Sequence, residues 1–150
     1  MSAPGAVRLL DVQGLRKHFP IRKGFFNRQV GAVRAVDGVS LDIYTGETLG
    51  LVGESGCGKS TFLRCLHRMN DLIPGVKTEG QVIINGQDIY TPGTDLILLR
   101  KKIGMVFQRP NPFPLSIFNN VAYGWRVHGG IGKNKIKEKV KWALESVHLW

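Results

Sequence analysis

Gly53-Glu54-Ser55-Gly56-Cys57-Gly58-Lys59-Ser60 fits the pattern GxxxxGK[ST], and its neighbours supply the context that pattern needs. Ahead of it, TLGLVG (48–53) reads as a short apolar strand. Behind it, Phe62, Leu63, Leu66 and Met69 recur at helical spacing. The order is strand, Gly-rich loop, helix. Glycines let the backbone bend until successive N–H groups point at phosphate oxygens. The following helix offers its positive end to the same anion. Lys59 can reach β- and γ-phosphates, Ser60 can offer a hydroxyl to Mg²⁺, and Thr61 is placed for a second phosphate contact. A chance Gly-rich turn could carry the same letters but would not need the strand and helix. This Walker A pattern therefore predicts an ATP or GTP site.

Working outward, residues 7–13 (VRLLDVQ) read as a short strand, and HFPIRKGFFNRQVG after them as a loop or hairpin insertion. Residues 33–43 alternate apolar and polar around a glycine, as a half-buried strand does. Thr45-Gly46 marks a turn. GQVIINGQDI reads as strand and turn, with Asn85-Gly86 as the turn dipeptide. Residues 95–101 read as a short helix with Asp95 near its start. IGMVFQ is another short apolar strand, and the apolar runs at 47–52 and 103–107 look like strands buried on both faces. Pro110, Pro112 and Pro114 make an extended loop. Ile136, Val140, Leu144 and Val147 form one stripe of an amphipathic helix over about 134–148.

The chain has 150 residues, 43% of them hydrophobic and 21% charged, the balance of a soluble globular domain. No apolar run approaches the ~20 residues of a membrane helix. The opening MSAPGAVRLLDVQG lacks the apolar core of a secretory signal. A cytosolic chain is expected, with membrane contact made through a partner. Cys57 and Cys65 form no CxxC pair, and His18, His67, His128 and His148 have no zinc spacing. The formal charge of +10 is spread along the chain except for one dense patch, GKNKIKEKVKW. That patch reads as a solvated helix face, and direct nucleic-acid binding is not expected.

GESGCGKST resembles the Walker A loop of ABC transporter ATPases. IGMVFQ resembles their Q-loop strand, with Gln108 where a glutamine reaches Mg²⁺ and the attacking water. LRKHF resembles the segment that stacks an aromatic residue on adenine, here Phe19. The resemblance runs from about residue 8 to 150 and has two characters. Residues 8–61 are similar to oligopeptide and dipeptide import ATPases, and residues 62–150 to phosphate-import ATPases.

This resemblance implies an α/β, incomplete P-loop NTPase (ABC ATPase) fold with an N-terminal antiparallel β part. Residues 1–107 would be the β subdomain and P-loop core, and 108–150 the Q-loop and the start of the helical subdomain. It implies ATP and Mg²⁺ as cofactors. Gly53, Glu54, Ser55, Gly56, Cys57, Gly58, Lys59, Ser60, Thr61 and Phe19 would hold nucleotide, Ser60 and Gln108 the metal, and Lys59 and Gln108 would serve catalysis. The implied role is the ATP-binding subunit of an importer, phosphate before oligopeptide or dipeptide, peripheral at the cytoplasmic face of the inner membrane. Its partners would be transmembrane permease subunits, docked near Phe113, Phe118, Tyr123 and Trp125, and a second ATPase subunit.

The family completes its site with an LSGGQ-type signature, an apolar strand ending in Asp followed by Glu, and a later His. None occurs in these 150 residues. The chain by itself is therefore expected not to turn ATP over. A non-hydrolysing nucleotide-binding module is the alternative from another class.

Overall fold

The computed structural model describes residues 6–25 and 28–150. Met1–Gly5 and Phe26 and Asn27 of the expected insertion lie outside the described residues. Two compact units, Met1–Gly104 and Met105–Trp150, divide the chain.

The first unit is organised by β1 (Arg8–Lys23), far longer than the strand expected at 7–13. β1 pairs antiparallel on one side with β2 (Arg28–Tyr44) and on the other with β3 (Thr78–Ile84). The basic segment after His18 is thus the far end of the β1–β2 hairpin, with Ile21 opposite Gly31 and Lys23 opposite Arg28. The four-strand order is β2-β1-β3-β4, where β4 is Gln87–Asp88. Asn85 (φ 51°) and Gly86 (φ 78°) make the tight turn between β3 and β4, the conformation an Asn-Gly pair favours.

A bulge decides which β1 residues face the core. Leu10 and Val12 are buried, and so are Leu15 and Lys17, although an odd step separates Val12 from Leu15. The register shifts there on both sides of β1, and Gly14 sits at φ 57°. The extra residue restores the inward face after the step. Gly80 of β3 crosses the same place with φ 88°, and a Cβ on it would lie 2.6 Å from the carbonyl oxygens of Gln13 and Gly14. Only glycine fits.

The face so built packs against α1 (Lys59–Leu66) and α2 (Leu96–Lys102). Its core is Leu10, Val12, Leu15, Val36 and Val82 from the sheet, with Phe62, Cys65, Ile89 and Leu99. On α1 the buried stripe is Phe62 and Cys65; Leu63 is exposed, and Met69 falls in a separate 3₁₀ turn, Met69–Leu72. Asp95 caps α2 by accepting from the Ile97 and Leu98 amides. Arg68 donates to the Ile89 carbonyl at 2.9 Å, and Arg100 to that of His67 at 3.1 Å, fastening the chain between α1 and β3.

The expected strands at 47–52 and 103–107 are not strands. Both segments lack regular structure, and no strand of the described residues pairs with either. A strand exists through a neighbour that takes up its N–H and C=O groups. Without one, the apolar sequence leaves Val52 91% and Val106 98% exposed.

The second unit packs α3 (Ile117–His128) on α4 (Lys133–Glu145). Ala122, Ile136, Val140 and Leu144 are its buried core, flanked by Phe118, Val121, Trp125 and Ile131. α4 ends before Val147, which is exposed, so that residue is not part of the stripe. α3 was not legible in advance: paired asparagines and Gly124 are poor helix formers, and its stability comes from packing.

The Tyr90 hydroxyl donates to the Cys65 carbonyl at 2.9 Å, and burial raises its pKa above the ordinary 10.0. The folded chain holds this proton beyond the pH at which the unfolded chain loses it. The stability so supplied is complete below pH 10 and is lost as pH rises through the folded value. Tyr90→Phe should cost about 1 kcal/mol at neutral pH. In urea unfolding of both chains, that gap should narrow as pH rises past the ordinary tyrosine range.

Candidate phosphate-binding site

The loop is exposed from Gly53 to Cys57 and half-buried at Gly58 and Lys59, and its lysine is folded back across it. Lys59 Nζ donates to the carbonyls of Gly53 (2.7 Å) and Glu54 (2.8 Å) and lies 3.4 Å from Cys57 Sγ. The Cys57 amide donates to the Glu54 carbonyl at 3.3 Å. One ammonium thus sits inside the curve of the loop, held by groups that can be exchanged for other oxygens.

α1 starts directly behind it. Its N-cap is Gly58 at φ 95°, and no side chain caps the first turn. The amides there are left for an external acceptor, at the end of the helix where anions are favoured. Gly56 (φ 84°) supplies a second left-handed turn. These features fit a phosphate group: free amides, a positive helix end and a lysine. Among the described residues no cluster of three or more His, Cys, Asp or Glu could hold a metal ion.

What seats the loop is a residue that sequence reading missed. β2 pairs Val36 with Lys17 but Arg34 with His18, leaving Ala35 as an extra, unpaired residue. The Ala35 carbonyl oxygen abuts Gly58, in the position a Cβ would take. An alanine in an alternating strand gives no sign of this; only the register shift shows it.

Lys17 was also missed. It is fully buried and donates to Thr78 Oγ1 at 2.7 Å, across the β1–β3 ladder. Burial lowers its pKa from the ordinary lysine value. Phe19, the expected adenine platform, is half-buried two residues further along β1, opposite Val33. Ser60 and Thr61 are in the first turn of α1, Ser60 exposed and Thr61 half-buried.

Gln108 is exposed and belongs to the other unit, so the fold of one unit does not by itself bring it to the loop. Residues 113–116, further along its loop, are held by Asn120. That side chain accepts from the Phe113 amide (2.8 Å) and donates to the carbonyls of Phe113, Leu115 and Ser116. Ser116 caps α3 by accepting from the Asn119 amide. Phe113 and Tyr123 lie with ring centroids 4.3 Å apart.

A family model for ABC transporters matches residues 36–150, from the bulged end of β2 through the loop, α1 and Gln108 to α4. The chain belongs to the ABC transporter family. It is 52% identical over 120 residues to the phosphate import ATP-binding protein PstB of Cytophaga hutchinsonii, covering 80% of this chain and 48% of that protein. The chain therefore spans about half the length of this curated relative. Among solved structures it resembles the ATP-binding cassette MJ0796, in a dimeric post-hydrolysis state bound to ADP and Pi. The TM-score is 0.69 at 25% identity, over 91% of this chain and 56% of that one. The antiparallel sheet and helices are thus part of the α/β P-loop fold of ABC ATPases. No helix of the described residues in this ABC-family chain is long and apolar enough to cross a membrane.

Gly58→Ala combines a left-handed φ with overlap on a backbone oxygen, and should destabilise the chain by about 3 kcal/mol. Gly46 has φ 79° and open space around it, so Gly46→Ala should cost only about 1–2 kcal/mol. Urea unfolding of the two variants separates clash from backbone strain.

Proposed function

We propose that residues 53–61 bind the phosphates of ATP, and that the whole protein is the ATP-binding subunit of an ABC importer that takes up phosphate. The observation that carries this is the Lys59 ammonium turned into the loop beside an uncapped helix N-terminus. On binding, Lys59 exchanges the carbonyls of Gly53 and Glu54 for β- and γ-phosphate oxygens, and the amides of the loop and of α1's first turn take the rest. Ser60 would give its hydroxyl to Mg²⁺, and Gln108 would reach the same ion and the attacking water. Phe19 would stack on the base. Bound Mg²⁺ would offset the phosphate charge.

The phosphate assignment is supported by the likeness to PstB and by the phosphate-import character of residues 62–150. An ATPase subunit of this kind does not touch the solute; its substrate class follows from the permease it docks. The stretch from Gln108 to Gly130, with Phe113, Phe118, Tyr123 and Trp125, is the proposed docking region, and it lies in the phosphate-like half. An oligopeptide or dipeptide importer is the second reading, favoured by residues 8–61. Those residues supply the base platform and phosphate loop, which serve any solute. The subunit would sit at the cytoplasmic face of the membrane, paired with a second ATPase subunit.

Lys59→Ala should weaken ATP binding roughly tenfold to a hundredfold, the worth of one charged phosphate contact. Titration calorimetry with the 150-residue chain checks it, and unchanged affinity would remove the loop from the site.

The signature and the Asp-Glu pair are not in this sequence, so the 150-residue chain should bind ATP without multiple turnovers. Steady phosphate release that vanishes in Lys59→Ala would contradict the proposal.

A further inference from the structure

The dense basic patch noted in the sequence lies on α4, and the proposed function makes no use of it. Lysines occupy 133, 135, 137, 139 and 141, on both sides of the buried stripe of Ile136, Val140 and Leu144. Helical spacing sorts them into two rows. Lys133, Lys137 and Lys141 follow each other at i, i+4 and i+8 along one flank. Lys135 and Lys139 run along the other, continued at i+7 by Trp142, which is 68% exposed.

These rows work against the helix that carries them. Like charges at i,i+4 repel. Two of the lysines sit in the first turn, where the helix end is already positive, and that turn has neither an acidic residue nor a side-chain cap. Between Lys133 and Lys141 the helix carries five lysines against one acid, Glu138. Among the described residues Lys141 is paired, at 3.7 Å from Glu145, whereas Lys135 and Lys139 have no ion pair. The Lys139 ammonium stands 5.8 Å from the centroid of the half-buried Trp125 ring of α3, and Trp142 is the exposed indole of this flank.

We propose that the flank of α4 bearing Lys135, Lys139 and Trp142 binds the surface of an anionic lipid bilayer. An extended sheet of negative headgroups relieves the repulsion along the row in a way that isolated counterions do not. The lysine stems can lie along the apolar boundary with their ammonium groups among phosphates. An exposed indole is at home at that boundary, where its ring is buried and its N–H stays wet. Single-stranded nucleic acid fits less well. It asks for several aromatic platforms and is served by arginine, and α4 offers one exposed ring and no arginine. This contact needs no permease and does not depend on the ATP site.

The test is flotation of the 150-residue chain with vesicles of phosphatidylcholine alone, or with about a third phosphatidylglycerol. The expected result is binding to the anionic vesicles only, weakened by salt. Lys135→Glu with Lys139→Glu should reduce partitioning by about thirtyfold or more. Lys135→Arg with Lys139→Arg should retain it, which separates charge from misfolding. The blue shift of tryptophan emission on binding should shrink in Trp142→Phe. Equal binding to both vesicle types, undiminished binding by the Glu double variant, or binding of single-stranded RNA in place of vesicles would overturn the proposal.

Discussion

Gly58 turns through φ 95° with its Cα against the carbonyl oxygen of Ala35. The glycine-rich loop, the helix behind it and the register of the sheet meet at this contact. Ala35 points its carbonyl there because β2 bulges between Arg34 and Val36. The pairing of Val36 with Lys17 in turn leaves Val36 in the core beside Leu15. From Gly58, α1 runs so that Phe62 and Cys65 cover the same sheet face. A larger residue at 58 would push helix and strand apart together.

A second constraint keeps the sheet face continuous. β1 would present opposite faces before and after Gly14 if the strand were regular. The bulge there, matched by Gly80 on β3, keeps Leu10, Val12, Leu15 and Lys17 on one side. Lys17 is the unusual member: a buried cation that holds β1 to β3 through Thr78. In Met105–Trp150 a different core does the work, and Asn120 fastens residues 113–116 to α3 with four hydrogen bonds.

Much of this was legible in the sequence. GESGCGKS gave the glycine-rich turn and the helix after it, because its glycines allow the left-handed φ found at Gly56 and Gly58. Asn85-Gly86 gave its turn and Asp95 its cap, because both act within a few residues. Ile136, Val140 and Leu144 gave α4 through their period. The runs at 47–52 and 103–107 misled. Their composition is that of buried strands, but composition does not supply the neighbour that makes a strand.

The sequence by itself determined the local structure a short segment adopts: glycine-rich loop, turns, caps and amphipathic stripes, each set by steric and hydrogen-bonding rules over a few residues. The tertiary structure decided what depends on partners distant along the chain. It set the bulges at Gly14 and Ala35, the burial of Lys17 against Thr78, and the length of β1, which continues because β2 lies beside it to Arg28. It also decided that α3 is a helix despite weak formers, since Ala122 and Phe118 find α4 to pack on. Strand register and burial are relations between segments, and their energy is released only when those segments meet.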